Sequence, residues 1–107
     1  MNKTKKEKLR KSGWRVGTAA DFLALSEQEA ALIEIKLALA RDLKIRRQSR
    51  KLTQAELARL LRSSQSRVAK MEAGDPAVSL DLLLRSLLSL GASTKQLARI
   101  FSSLRTA

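Results

Sequence analysis

The sequence predicts an all-α protein of five main helices and no β-sheet. Apolar residues recur at spacings of three and four along most of the chain, which is the period of a helix with one buried face. Alternating apolar and polar runs of the strand type are absent, and only one Pro and four Gly interrupt the 107 residues. An apolar share of 44% is enough for a real hydrophobic core, so the composition predicts a folded domain.

Two segments are predicted to precede the helical domain. Residues 1–12 carry a run of Lys and Arg with little apolar area, which predicts a flexible basic tail. Residues 13–25 are predicted to form an N-terminal extension that includes a short helical turn ending near Leu23. Residues 26–107 are then predicted to form a single helical domain of ordinary size.

The first helix of that domain is predicted to be long. Ser26 and Glu29 form a capping-box pattern, and nothing breaks a helix from there to about Arg50. Two apolar stripes run along it, one of Leu32, Ile35, Leu39 and Leu43, the other of Ile33, Leu37 and Ala40. A helix with two apolar faces lies either centrally in its own bundle or partly under another chain, and both alternatives remain open.

Four shorter helices are predicted to follow, each with a hydroxyl side chain as N-cap: Thr53, Ser64, Ser79 and Thr94. Thr53 also forms a capping box with Glu56. Gly74 suits the position after the third helix, which Pro76 prevents from continuing. The residues expected to face inward are Leu57, Leu60 and Leu61, then Val68 and Met71, then Leu80, Leu83, Leu87 and Leu90, and finally Leu97, Ile100, Phe101 and Leu104.

The composition argues against an enzyme. The chain has no Cys and no His, so it offers no thiol nucleophile, no imidazole base and no metal site built on those ligands. No Gly-rich loop is present to hold a nucleotide phosphate. We therefore expect no catalytic residue, no metal and no cofactor. No apolar run approaches the 18 residues of a membrane span, so no membrane partner is expected either.

Charge is distributed unevenly along the chain, whose formal net charge is +12. Residues 35–70 carry +9, whereas residues 18–34 carry −4. The basic block indicates an anionic partner, with nucleic acid as the first candidate and plain solubility as the alternative. With only three aromatic residues, the chain lacks the stacking platforms common among RNA-binding folds, which makes RNA the weaker choice.

The two short helices around residues 53–73 carry the functional prediction. Two helices of about eight residues, joined by a turn at Arg62 to Ser64, suggest a helix-turn-helix. The small side chain of Ala58 permits a close crossing of the two helices. The outer face of the second helix is short and polar, which suits a DNA major groove; it consists of Gln65, Ser66, Ala69 and Lys70.

This stretch resembles the XRE (Cro/phage-repressor-like) helix-turn-helix family. The resemblance rests on Leu52-Thr-Gln-Ala-Glu-Leu-Ala58 and on Ser64-Gln-Ser-Arg-Val-Ala-Lys-Met-Glu-Ala-Gly74, and it covers roughly residues 39–91. It implies a five-helix lambda-repressor-like domain that binds a double-stranded DNA operator as a homodimer. Arg62 and Lys51 stand where the family usually has Gly. Arg62 is expected either to adopt a left-handed conformation at some cost or to sit in a differently shaped turn.

The resemblance also implies roles for individual residues. Base edges would be read by Gln65, Ser66, Ala69 and Lys70, and phosphates would be bound by Gln54 and Arg67. Arg47 and Glu72 would form a structural clamp. For Gln65, Ser66 and Lys70, the alternative is an ordinary solvated surface. Three further basic residues beside the motif either bind phosphate or only add solubility: Arg46, Arg50 and Lys51.

The segments 13–26 and 29–40 resemble the N-terminal extension of HigA-type antitoxins. This resemblance implies that the protein neutralises a RelE/HigB-type toxin and represses its own operon, in the cytoplasm of a bacterium and in association with the nucleoid. Trp14 and Phe22 border the acidic block and would anchor the partner, or else fold back onto the chain's own helix. The alternative function is a protein-interaction module for a basic partner, with DNA binding secondary.

Overall fold

The first helix begins earlier than the sequence predicts. The computed structural model describes the backbone of residues 19–104 and the side chains of residues 26–104. Helix α1 spans Ala19–Ser49, so the chain is already helical at Ser26 and the predicted capping box there is wrong. The stretch before Ser26 is rich in Ala and Leu, which extend a helix readily once it has started. Two compact units are separated within α1, one of residues 1–32 and one of residues 33–107.

Four shorter helices follow in the second unit: α2 (Gln54–Leu60), α3 (Gln65–Glu72), α4 (Leu80–Ser89) and α5 (Thr94–Ser102). The connections are short, with four residues between α1 and α2, four between α2 and α3, seven between α3 and α4, and four between α4 and α5. Residues 19–104 contain no strand, so the prediction of an all-α chain with five helices is confirmed. In that same range no helix is long and apolar enough to cross a bilayer.

Hydroxyl side chains cap the starts of the shorter helices. Thr53, Ser64 and Ser79 each accept a hydrogen bond from a backbone N–H of the first turn, as predicted. The fourth cap is Ser93, and the prediction of Thr94 is wrong by one residue. Ser93 prevails because Gln96 lies three residues on and completes a capping box: the Ser93 N–H donates to Gln96 Oε1 at 2.9 Å, and the Gln96 N–H donates to Ser93 Oγ at 3.0 Å.

Helices α1 to α4 all end in the same Schellman motif. In each, the residue after the C-cap has a positive φ, and the next N–H bonds back to a carbonyl of the last turn. Gly74 (φ 71°) and Gly91 (φ 90°) suit this conformation, whereas Lys51 (φ 57°) and Arg62 (φ 53°) adopt it at a cost of about 1 kcal/mol each. The left-handed alternative for Arg62 is therefore confirmed.

The core of the second unit draws on every helix. Its buried members are Leu39, Leu43, Leu57, Ala58, Val68, Met71, Val78, Leu83, Leu87, Leu90, Ala92 and Leu97. Leu60 was expected inside but is 62% exposed, because Ala58 and Leu61 lie on one side of Leu57 around the helix and Leu60 lies on the other. Of the second apolar stripe on α1, Ala40 is buried while Ile33 and Leu37 are exposed.

Candidate nucleic-acid interface

Helices α2 and α3 form two arms joined by a tight turn. Thr53 and Glu56 close a capping box at the start of α2, with the Thr53 N–H donating to Glu56 Oε1 at 2.9 Å and the Glu56 N–H donating to Thr53 Oγ1 at 3.1 Å. In the turn, the N–H of Ser63 donates to the carbonyl of Ala58 at 2.8 Å. Ser64 then caps α3. The turn is thus fixed by a backbone hydrogen bond at the end of α2 and by the Ser64 side chain, which accepts from the Arg67 N–H, at the start of α3.

Buried side chains hold the two arms together. Leu57 and Ala58 of α2 and Val68 and Met71 of α3 all lie in the core, and Ala58 is only 4% exposed. Its methyl group lets the helices approach closely, as expected from the sequence. Because the inner side of α3 is occupied by this packing, its opposite side is left to face outward.

An ion pair ties the end of α1 to the end of α3. Arg47 Nε lies 2.5 Å from Glu72 Oε2, and Arg47 Nη2 lies 3.0 Å from Glu72 Oε1. A third guanidinium N–H donates to the carbonyl of Leu52 at 2.7 Å. The hydrogen bond to Glu72 raises the pKa of Arg47, and the attraction of the carboxylate adds to this effect. The side chains of the pair are 12% and 3% exposed, so this clamp is nearly buried.

Gln54 joins the same cluster. Its Nε2 donates to Glu72 Oε1 at 3.2 Å, a contact that the sequence did not predict because it links residues 18 positions apart. A carboxamide nitrogen carries two N–H groups, so one remains after this bond is made. Glu72 therefore orients Gln54, and one amide N–H is left for a further acceptor.

The outer face of α3 presents the predicted base-reading residues. Gln65, Ser66 and Lys70 are exposed, and Ala69 is partly exposed. None of these side chains is a large apolar group. Arg67 is exposed on the flank of this face, on the side toward α4. The face can therefore offer amide, hydroxyl and ammonium groups to base edges, with a guanidinium beside them for phosphate.

A groove of about 390 Å³ runs beside this face, between the start of α3 and the start of α4. Arg67 and Lys70 line it together with the hydroxyl residues Ser64, Ser66 and Ser79. We call it the recognition groove. Its two cationic side chains and its hydroxyl donors suit an anionic backbone.

Two of the three remaining basic candidates have partners within the protein. Arg46 Nε pairs with Asp42 Oδ2 at 2.6 Å on α1. Arg50 donates from its guanidinium to the carbonyl of Leu90 at the end of α4, a tie between α1 and α4 that sequence reasoning missed. A Cβ at Gly91 would lie 3.0 Å from Arg50 Nη2, so Gly91 also leaves room for this guanidinium. Lys51 is exposed at the end of α1.

The side chains of Trp14 and Phe22, the predicted partner anchors, lie outside the described residues, as does the basic tail of residues 1–12.

Comparison with known proteins supports the helix-turn-helix assignment. A helix-turn-helix family model matches residues 43–97, just over half of the chain. No curated protein and no solved structure matches it significantly. The matched range contains both arms, the turn, the clamp and the outer face of α3. The chain therefore belongs to the XRE-type helix-turn-helix family, and it is a DNA-binding transcription regulator.

Proposed function

We propose that the protein is a sequence-specific repressor that binds its operator as a homodimer. The observation that carries this proposal is the outer face of α3, where Gln65, Ser66 and Lys70 are exposed on a helix that the Arg47–Glu72 clamp fixes in place. A rigid helix with polar side chains can read bases, since each good contact contributes about 1–3 kcal/mol of discrimination. As a dimer, the protein would place two such helices about 34 Å apart, one turn of DNA.

Binding selection from random duplex DNA tests the proposal directly. We expect the best sequence to bind at least 10³-fold more tightly than random DNA, and to contain two half-sites related by symmetry. A preference below about tenfold would rule out a specific repressor. Sedimentation analysis of the protein alone and with the selected duplex measures the stoichiometry, for which we expect two chains per operator.

We further propose that the protein is the antitoxin of a RelE/HigB-type toxin and represses the operon that encodes both. The proposal draws on the resemblance of residues 13–26 and 29–40 to HigA-type extensions and on the charge of −4 across residues 18–34. Acidic charge favours a basic partner. Leu32 and Ile33 of α1 are 42% and 53% exposed and add apolar area that a partner could cover. Such a protein would act in the bacterial cytoplasm, at nucleoid DNA.

A double variant tests the partner surface. Trp14→Ala with Phe22→Ala is expected to abolish binding of the small basic protein encoded by a neighbouring reading frame, while the affinity for the selected operator stays within about twofold. Leu60→Ala, at an exposed leucine of α2, serves as control and should leave the complex intact. Unchanged partner binding in the double variant would refute this placement of the interface.

The second candidate function is a protein-interaction module in which DNA binding is secondary. The partner-binding assay and the DNA selection together distinguish this module from the repressor. Exposed apolar side chains on α1 favour it: Leu32, Ile33 and Leu37. Tight partner binding combined with the absence of sequence preference in the DNA selection would favour the module over the repressor.

A further inference from the structure

A second cleft lies on the side of the helix-turn-helix toward α4, next to the recognition groove. Its volume is about 230 Å³, and it lies between the turn that joins α2 to α3 and the side of α4. Three arginines line it, Arg62 from the turn, Arg67 from α3 and Arg85 from α4, together with Ser63 and Ser89. We call it the arginine cleft.

The positive charge of the arginine cleft is largely uncompensated. In the described part of the chain, the guanidinium groups of Arg62 and Arg67 have neither an ion pair nor a hydrogen bond. Arg85 pairs with Asp81 at 3.1 Å, but both side chains are about three-quarters exposed, so this pair is weak and exchanges easily. Three guanidinium forks facing one small volume match the oxygens of a phosphate group better than any neutral ligand.

An unsatisfied hydroxyl lies at the same place. The Oγ of Ser63 is buried and has no hydrogen-bond partner, and it is the one such side-chain atom among the described residues. A buried hydroxyl without a partner is destabilising, and a ligand oxygen in the cleft would supply the missing acceptor. The hydroxyl is therefore a second feature, independent of the charges, that points to a polar occupant.

The backbone at Arg62 adds a third feature. Arg62 has a φ of 53° at a helix end where Gly74 and Gly91 occupy the equivalent positions of α3 and α4. Glycine would adopt this conformation without strain, yet the chain has an arginine whose side chain lines the cleft. Lys51 adopts the same conformation at the end of α1, so what distinguishes Arg62 is the position of its side chain in the cleft.

We propose that the arginine cleft binds a phosphate-bearing anion, held by the guanidinium groups of Arg62, Arg67 and Arg85 and by the hydroxyl of Ser63. This adds Arg62, Arg85 and Ser63 to the phosphate contact that the family resemblance implies, among the residues of the cleft, for Arg67 alone. The phosphate belongs either to the DNA backbone or to a free small molecule, and the experiments below distinguish the two sources.

Thermal unfolding of the full chain tests whether the site exists. Inorganic phosphate at a few millimolar, compared with chloride at equal ionic strength and pH, is expected to raise the Tm of the unaltered protein by about 4 °C. Arg62→Gly and Ser63→Ala should each lose at least half of this rise. Both variants are expected to fold, because one relieves strain and the other removes an unsatisfied hydroxyl. Arg99→Gln, a charge change on α5, should keep the full rise.

Absence of a phosphate-dependent rise would overturn the proposal. The same holds if Arg62→Gly and Ser63→Ala keep the full rise, or if Arg99→Gln loses it, because phosphate would then act on the whole surface and not in the cleft. Phosphate is also excluded from protein surfaces in general, and this effect stabilises the unaltered protein and its three variants equally. Only the differences in the rise of Tm among the four proteins therefore report on the cleft.

DNA binding by Arg85→Gln identifies the source of the phosphate. If the cleft holds a backbone phosphate, this variant should bind every duplex less tightly, its salt slope should be smaller by about 1, and free phosphate should compete with DNA. If the cleft holds a free anion, the salt slope should stay unchanged while the phosphate-dependent rise in Tm is reduced. A variant that alters neither quantity would overturn the proposal. The thermal assay contains no DNA, so its result is independent of whether the repressor proposal succeeds.

Discussion

Arg47 and Glu72, 25 residues apart in the chain, join the last turns of α1 and α3 by two hydrogen bonds of 2.5 and 3.0 Å. The same carboxylate accepts a hydrogen bond from Gln54 at the start of α2. Three helices therefore meet at one carboxylate, and the angle at which α3 presents its outer face depends on that group.

Breaking this pair should be costly. Because the Glu72 side chain is only 3% exposed, Arg47→Ala would leave a nearly buried carboxylate without its charge partner, and we expect the free energy of unfolding to fall by about 3 kcal/mol. Urea denaturation measures this change. The double variant Arg47→Met with Glu72→Leu should be closer to the unaltered protein than either single variant, since it leaves no unpaired charge.

Arg85→Ala is the matched control, because it breaks an exposed pair with Asp81 and should cost no more than about 0.5 kcal/mol. Equal losses from Arg47→Ala and Arg85→Ala would contradict a structural role for the clamp.

The base-reading role of α3 predicts local losses of specificity. Gln65→Ala should weaken binding to the selected operator by about 1–3 kcal/mol and should remove the preference at one base pair of each half-site. Arg67→Ala should instead weaken binding to all sequences and reduce the salt slope. Competition binding with single-base operator variants measures both effects. Lys95→Ala on α5 serves as control, and a uniform loss across sequences for Gln65→Ala would show that Gln65 does not read a base.

Lys51 and Arg62, the two cationic residues with a positive φ, are positions where glycine should stabilise the protein. Lys51→Gly and Arg62→Gly should each raise the free energy of unfolding by about 0.5 kcal/mol, because relief of the positive φ exceeds the extra entropy that glycine gives the unfolded chain. Lys51→Ala is the control, since alanine keeps the Cβ that causes the strain. If alanine and glycine stabilise equally, the gain has a cause other than backbone conformation.

The capping box of α2 predicts that the stability of the fold depends on pH through the carboxyl group of Glu56. The Thr53 backbone N–H that donates to Glu56 lowers the pKa of Glu56 below its ordinary value of 4.5, and the Thr53 side chain contributes in the same direction. The associated stability is fully present above the ordinary value and is lost as the pH falls through the lower pKa of the folded state.

Glu56→Gln should keep the hydrogen bond, as Gln96 does at α5, and should make this part of the acid profile flat. Thermal unfolding across the acidic range compares the two proteins. Identical acid profiles would refute the contribution of Glu56.

Local sequence patterns predicted most of the fold. Thr53, Ser64 and Ser79 were identified as caps because each interaction lies within one helical turn, and Gly74 was identified because its conformation is a property of one residue. Ser93 and Thr94 are adjacent hydroxyls, and only the partner Gln96 decides between them. The spacing of Ser93 and Gln96 is itself a capping-box pattern in the sequence, and applying it would have selected Ser93.

Interactions between distant residues were harder to predict. The hydrogen bond from the Gln54 amide to Glu72 depends on how α2 packs against α3, and the hydrogen bond from the Arg50 guanidinium to the Leu90 carbonyl depends on how α1 lies against α4. The apolar periodicity of a single helix carries no information on either arrangement. The pairing of Arg47 with Glu72 was expected only through the family resemblance. The arginine cleft was not foreseen, since Arg62, Arg67 and Arg85 come from three separate elements.

The short connections between the helices bear on how the domain folds in time. No linker from α1 to α5 is longer than seven residues, and α2 and α3, which are neighbours in the chain, pack directly on each other. Helical domains with mostly local contacts fold within about microseconds to milliseconds. The helix-turn-helix of a newly made chain can therefore form almost as soon as α1 to α5 have left the ribosome, so folding adds little delay before the protein acts.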